Sequence, residues 1–294
     1  MTKIAIIGPG ALGGTIAGWL CQNAAHEVIV CARTPLVDLR VETPVGTLNA
    51  APQVLIDPAP AQPVDWVLVL TKTYDVAAAK VWLDSLVGPG TRVAVLQNGV
   101  EHVSRFAALL PGQAIVPAVV DIPASRSAPG RMIQQRLGSI VVPEGDDGAD
   151  FVGLFGETKI DVSAVADWNS RAWGKLCLNC AGAVAALTQR STGPVWNDDL
   201  EVLVRGLVSE CAAVARAEGA VIPDSLIEGV IEGARNAPEG AGNSMSVDRF
   251  AGRQMELDAR NGVIVRLGKK HGIATPINAL FVTLLAASGS PWVT

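Results

Sequence analysis

The chain has 294 residues, 49% of them apolar, and a formal net charge of −5 at pH 7. That length carries one large or two ordinary folding units with a sizeable core. The acidic balance and the lack of a long basic stretch exclude nucleic acid or an anionic membrane as the main partner, and no apolar run approaches the roughly 20 residues that span a bilayer.

The chain opens on an apolar run, "IAIIGPGALGGTIAGWL" at residues 4–20. Gly8-Pro9-Gly10 and Gly13-Gly14 punctuate it too heavily for a secretion signal, and no small-residue cleavage site follows. A buried strand Lys3–Ile7, a tight turn and a helix Leu12–Asn23 fit better. The glycines then fall as G-x-G-x-x-G between strand and helix, the setting a dinucleotide fingerprint requires. Gly8 permits the turn, Gly10 lets a pyrophosphate approach the backbone, and Gly13 lets helix and strand pack closely. With Pro9, Ala11 and Leu12 these residues are the expected cofactor loop, backed by the positive end of the helix dipole.

Further strands are expected at Glu27–Cys31, Trp66–Leu70, Arg92–Leu96, Ala114–Val120 and Ser139–Val142. Several are unbroken apolar runs, as expected for parallel strands buried on both faces. Helices are expected at Val76–Leu86 and Val103–Leu109, and loops at Pro58–Pro60, Pro123–Gly130 and Glu144–Gly148. From about residue 165 the pattern turns helical: Trp168–Leu187, Asn197–Glu218, Asp224–Ala234, Glu256–Gly272 and Pro276–Ala287. Asp224 and Thr275-Pro276 are good helix starts, and Gly219 and Gly272 good stops. The expected fold is α/β. A Rossmann-type doubly wound sheet (1–165), binding the dinucleotide, precedes an all-helical substrate and catalytic domain (166–294), with the active cleft between them.

The second strand ends at Arg33. An acidic residue here would hold the ribose 2′-hydroxyl of NAD, whereas a guanidinium can grip a 2′-phosphate, so NADP(H) is expected. Three polar clusters are hard to explain as packing: Lys72, just past a buried strand; Gln97-Asn98-Gly99, at another strand end; and Lys175 with Asn179, which share one helix face at i, i+4. The five cysteines are an odd number, which fits free thiols in a reducing, cytoplasmic compartment. Cys177 and Cys180 read as small buried hydrophobes, not as half of a metal site. His26, His102 and His271 read as surface residues.

"GPGALGG", "TK" at 71–72, "LQNG" at 96–99, "KLCLN" at 175–179 and "NSMSVDRFAGRQMELDARNG" at 243–262 together resemble the ketopantoate reductase (2-dehydropantoate 2-reductase) family, in order and over nearly the whole chain. The resemblance implies an NADPH-dependent reductase of a branched 2-keto acid. It implies that Lys175 is the catalytic lysine, that Glu256 orients it and contacts the cofactor, and that Asn98 contacts both cofactor and substrate. Asn179 and Ser244 fall on substrate-binding positions and Lys72 on a cofactor-side position. Two departures touch the substrate side: Ala183 stands where the family commonly has a second Asn, and the segment 117–138 lacks the usual loop. They leave open a paralogue acting on another 2-keto acid or a related carbonyl or imine. A non-catalytic NADP(H) sensor and a flavoprotein are the readings from other classes. No metal is expected, and the oligomeric state stays open, a homodimer being the state considered.

Overall fold

The computed structural model describes residues 1–288. The chain divides into two compact units, Met1–Trp168 and a second beginning at Asn169. The first contains, in order, β1 (Thr2–Ile7), α1 (Ala11–Leu20), β2 (His26–Cys31), β3 (Leu39–Thr43), β4 (Gly46–Ala50), β5 (Gln53–Leu55), β6 (Trp66–Val69), α2 (Val76–Leu86), β7 (Arg92–Val95), α3 (His102–Ala107), β8 (Ile115–Pro117), β9 (Val119–Asp121), β10 (Ala124–Ala128), β11 (Arg131–Gln134), β12 (Ser139–Pro143), α4 (Asp146–Leu154) and β13 (Asp161–Val165).

Six strands form one parallel sheet in the order β5-β2-β1-β6-β7-β8. The winding reverses between β1 and β6, which makes this a Rossmann sheet with its ligand-binding edge at the carboxyl ends of those strands. Past their polar first residues, the central strands are apolar at successive positions, as burial of both faces requires. Ile4, Ile6, Trp66 and Leu68 enter the core on the α1 side, and Ala5, Ile7, Val67 and Val69 enter the core beside Trp82, Leu83 and Phe106 on the other.

A four-stranded sheet, β10-β11-β3-β4, packs on α1. Small residues of that helix allow the approach: a Cβ on Gly14 would lie 1.7 Å from Met132 Cε, and one on Gly18 would lie 2.5 Å from Val41 Cγ2. Trp19 Nε1 donates to Gln134 Oε1 at 2.8 Å across the same junction. A three-stranded sheet, β13-β12-β9, completes the unit.

The second unit begins with α5 (Trp168–Ala181), whose first residue closes the first unit, and continues with α6 (Ala183–Thr188), α7 (Asp198–Ala217), α8 (Asp224–Arg235), α9 (Ser244–Phe250), α10 (Val263–His271) and α11 (Pro276–Ser288). A π turn, Asp258–Gly262, leads into α10. Among its described residues this unit has no strand. Gly272 ends α10 at φ 67°, the left-handed stop that favours glycine.

Several expectations are corrected. Pro123–Gly130 is not a loop: it holds β10, a polar edge strand without apolar alternation, paired antiparallel to β11 through an irregular register. Glu144–Gly148 starts α4, with Asp146 and Asp147 in the first turn, where carboxylates meet the positive end of the helix dipole. The run Ala114–Val120 breaks at Ala118 into β8 and β9, which join different sheets. The helix Trp168–Leu187 is interrupted at Gly182. The helix expected at Glu256–Gly272 is present from Leu257 to His271, but its first turns, Asp258–Gly262, are π and not α. His102 is buried, not on the surface: its Nε2 lies 2.8 Å from the Gln97 carbonyl, and its ring meets Trp168 edge-on at 5.3 Å.

Candidate functional site

Within the first unit, the expected cofactor residues collect at the carboxyl edge of the parallel sheet. Gly8 adopts φ 94°, and a Cβ there would lie 2.8 Å from the Thr71 backbone nitrogen. A Cβ on Gly13 would lie 2.2 Å from the Gly8 carbonyl oxygen, so the helix start and the turn touch through backbone alone. A Cβ on Gly10 would meet nothing within 4 Å. These are the three roles a dinucleotide loop asks of its glycines: turn, open approach and close packing.

α1 suits an anion: no side chain caps its N-terminus, and its first turn holds no acidic residue. The first-turn N–H groups of Ala11, Leu12 and Gly13 can therefore face a ligand, with Pro9 shaping the turn before them.

Two neighbouring loops are tied to this edge. Gln97 Nε2 donates to the Thr71 carbonyl at 2.9 Å and to Thr71 Oγ1 at 3.1 Å, which joins the segment carrying Lys72 to the segment carrying Asn98. Gly99, at φ 101°, turns the chain directly after Asn98. Lys72 and Asn98 are half-buried. Arg33 lies just beyond the end of β2, its side chain 83% exposed, with Nη1 3.8 Å from Asp75 Oδ2. Asp75 was not legible as a partner, because the pair joins loops far apart in the chain.

In the second unit, Lys175 and Asn179 lie half-buried on α5, one turn apart, while Leu176, Cys177 and Cys180 point into the core. The cysteines of this region are free thiols: Cys180 Sγ donates to the Cys177 carbonyl, and Cys177 and Cys211 approach to 3.6 Å. Burial pushes the Cys211 thiol well above its usual range, so that side chain behaves as a neutral core group.

The segment 243–262 fastens α5 and α6. Asn243 caps α9 in a reciprocal box with Ser246, and its Nδ2 donates to the Gly182 carbonyl at 3.0 Å. Arg249 donates to the Ala186 and Leu187 carbonyls near the end of α6. Arg260 donates from Nη2 to the Asn179 carbonyl at 2.7 Å and from Nη1 to Ser244 Oγ at 3.2 Å. Asn261 Nδ2 donates to the Cys180 carbonyl at 3.2 Å. The side chains thus satisfy carbonyls that the ends of α5 and α6 leave open. Glu256 is only 5% exposed and acts on Arg260 by charge.

Asn179, Ser244 and Glu256 are therefore gathered by one residue, Arg260, which the sequence reading did not single out. No local signal marks it: Asp258, two residues before, is exposed, and the partners of Arg260 lie far along the chain. Arg260 and Asn261 lie side by side in the π turn, and both are buried.

Ala183 requires a correction. It is 0% exposed and follows the break at Gly182, so it does not extend the Lys175–Asn179 face of α5 toward a ligand. Ala183→Asn should therefore bury an amide and cost about 1–3 kcal/mol of stability, read by chemical denaturation. Unchanged stability together with a shifted substrate preference would restore Ala183 as a specificity position.

The first unit is a Rossmann unit by its strand order and glycine turn. Ketopantoate reductase PanE/ApbA matches residues 4–147, and the C-terminal part of the same family matches residues 167–288. The chain belongs to the ketopantoate reductase family. It is 56% identical to a 2-dehydropantoate 2-reductase of Caulobacter vibrioides, over 98% of this chain and 99% of that one. It is 37% identical to a 2-dehydropantoate 2-reductase of Mycobacterium tuberculosis, over 98% of both chains. Among solved structures, a PanE/ApbA family ketopantoate reductase from Ralstonia eutropha superposes with a TM-score of 0.90 at 32% identity, covering 98% of each chain.

Proposed function

We propose that this protein reduces 2-dehydropantoate to pantoate with NADPH, a step of pantothenate biosynthesis. The observation that carries the reading is the likeness, over nearly the full length of both chains, to the 2-dehydropantoate 2-reductase of Caulobacter vibrioides. The experiment is product identification: the purified chain, NADPH and 2-dehydropantoate should yield pantoate in step with NADPH consumed. Consumption without pantoate would refute the reading.

NADPH supplies the hydride when bound. The residues of this chain do the rest. The α1 N-terminus and the Gly8–Gly13 loop receive the pyrophosphate. Lys72 and Asn98 contact the cofactor, and Asn98 also contacts the substrate. Asn179 and Ser244 bind the keto acid. Reduction of the keto group would leave negative charge on its oxygen. The Lys175 ammonium stabilises that charge and then donates the proton, while Glu256 orients Lys175. A homodimer in the cytoplasm is proposed with this reading, and the molar mass in solution separates one chain from two.

Arg33 selects the cofactor in this account. A 2′-phosphate offers the guanidinium a doubly charged partner in place of Asp75, 3.8 Å away. Because the side chain is exposed, the expected effect is modest: Arg33→Ala should raise the NADPH dissociation constant about tenfold and leave that of NADH nearly unchanged. Equal changes for the two cofactors would remove Arg33 from this role.

A further inference from the structure

We propose that Arg260 is a positioning residue for the carboxylate of the substrate, acting through the hydroxyl of Ser244 and the backbone of Asn179. The inference rests on the functional reading above, which puts Ser244 and Asn179 against a 2-keto acid, and assigns to Arg260 a role that reading does not contain.

Arg260 is 2% exposed. A buried guanidinium is costly unless its hydrogen bonds and charge are answered. Here the answer is incomplete. Its Nη2 reaches the Asn179 carbonyl and its Nη1 reaches Ser244 Oγ, but its Nε has no hydrogen-bond partner. Glu256 and Asp248 act on it through charge, and burial works against its charged form. An arginine keeps its proton under these conditions, so a positive charge sits one hydroxyl, that of the exposed Ser244, away from solvent.

A hydroxyl that accepts a hydrogen bond from a guanidinium still has its own hydrogen to donate, and the cation polarises that O–H. Ser244 can therefore offer an anion a strengthened donor without exposing the arginine. The 2.7 Å bond to the Asn179 carbonyl holds the end of α5 at the same time, which fixes the position from which the Asn179 side chain departs. A carboxylate suits this arrangement and a neutral group does not: the hydroxyl presents a donor backed by positive charge, and the charge goes unused when a neutral ligand binds.

The test compares 2-dehydropantoate with its neutral lactone, measured as substrate or as competitive inhibitor, on the full chain and on Arg260→Met, Arg260→Lys and Ser244→Ala. Arg260→Met should raise KM for the acid about tenfold to a hundredfold, keep kcat within about threefold, and leave lactone affinity and NADPH affinity unchanged. Arg260→Lys should recover part of the preference for the acid. Ser244→Ala, a change at an exposed hydroxyl, should lose the same preference with the arginine in place, and it serves if Arg260→Met does not fold. Equal losses on acid and lactone, or an unchanged acid-to-lactone ratio in Ser244→Ala, would overturn the proposal. Failure of the unaltered chain to reduce any 2-keto acid would instead overturn the functional reading beneath it.

Discussion

Lys175→Ala is expected to bind NADPH with nearly the affinity of the unaltered chain and to turn over about 10²–10⁴-fold more slowly, the loss that follows removal of a positioned proton donor. The expectation rests on chemistry and placement together. Hydride addition makes an alkoxide, and a half-buried ammonium one helical turn from Asn179 can stabilise it and protonate it. Lys175→Arg should not rescue the rate, because a guanidinium holds its proton too firmly to release it. Glu256→Ala should lose less, since it orients the lysine without replacing it. Measurement of kcat and of the NADPH dissociation constant for each variant decides the matter. If Lys175→Ala keeps more than about a tenth of the unaltered kcat, the proton comes from another group, and Lys72 is the next candidate.

The glycine loop gives the second large effect, and it separates structure from binding. Gly13→Ala should lower the melting temperature by about 5–10 °C and weaken NADPH together with it, because the new Cβ would stand 2.2 Å from a backbone oxygen that cannot move without opening the turn. Gly10→Ala should melt like the unaltered chain. Its φ of −71° suits any residue, and its Cβ meets nothing within 4 Å. Yet it should weaken NADPH about tenfold or more, since that open space is where the pyrophosphate comes closest to the backbone. Full NADPH affinity in Gly10→Ala would show that the loop does not hold the pyrophosphate there.

The central sheet was legible because its physics is local. Runs such as Ile4–Ile7 and Trp66–Val69, apolar at successive positions, have one stable placement in a domain of this size, between two layers of helix. In the outer sheets β12 was legible as the apolar run Ser139–Val142, and the polar strands of the four-stranded sheet were not, for the opposite reason. β10 is Ala-Ser-Arg-Ser-Ala, with no periodic apolar face, and it is held by pairing with β11 and not by burial. One strand of the central sheet was also missed: β5, at its edge, has three residues, too few to show a pattern.

Among the candidate site residues, Lys175 and Asn179 stood out because their spacing repeats within one helix. Arg260 did not, because its partners Asn179 and Ser244 lie 81 and 16 residues away and only the folded chain brings them together. Ala183 was misread because helical spacing was extended across Gly182, where the helix is broken.

The measurement that tests the account most directly is the steady-state kcat/KM of the purified chain for 2-dehydropantoate with NADPH, set against a panel of other 2-keto acids. The account predicts that 2-dehydropantoate is the best substrate of the panel and that NADPH outperforms NADH on it. A higher kcat/KM for another 2-keto acid would assign the protein a different substrate within the same chemistry, and no NADPH oxidation with any member of the panel would contradict the account outright.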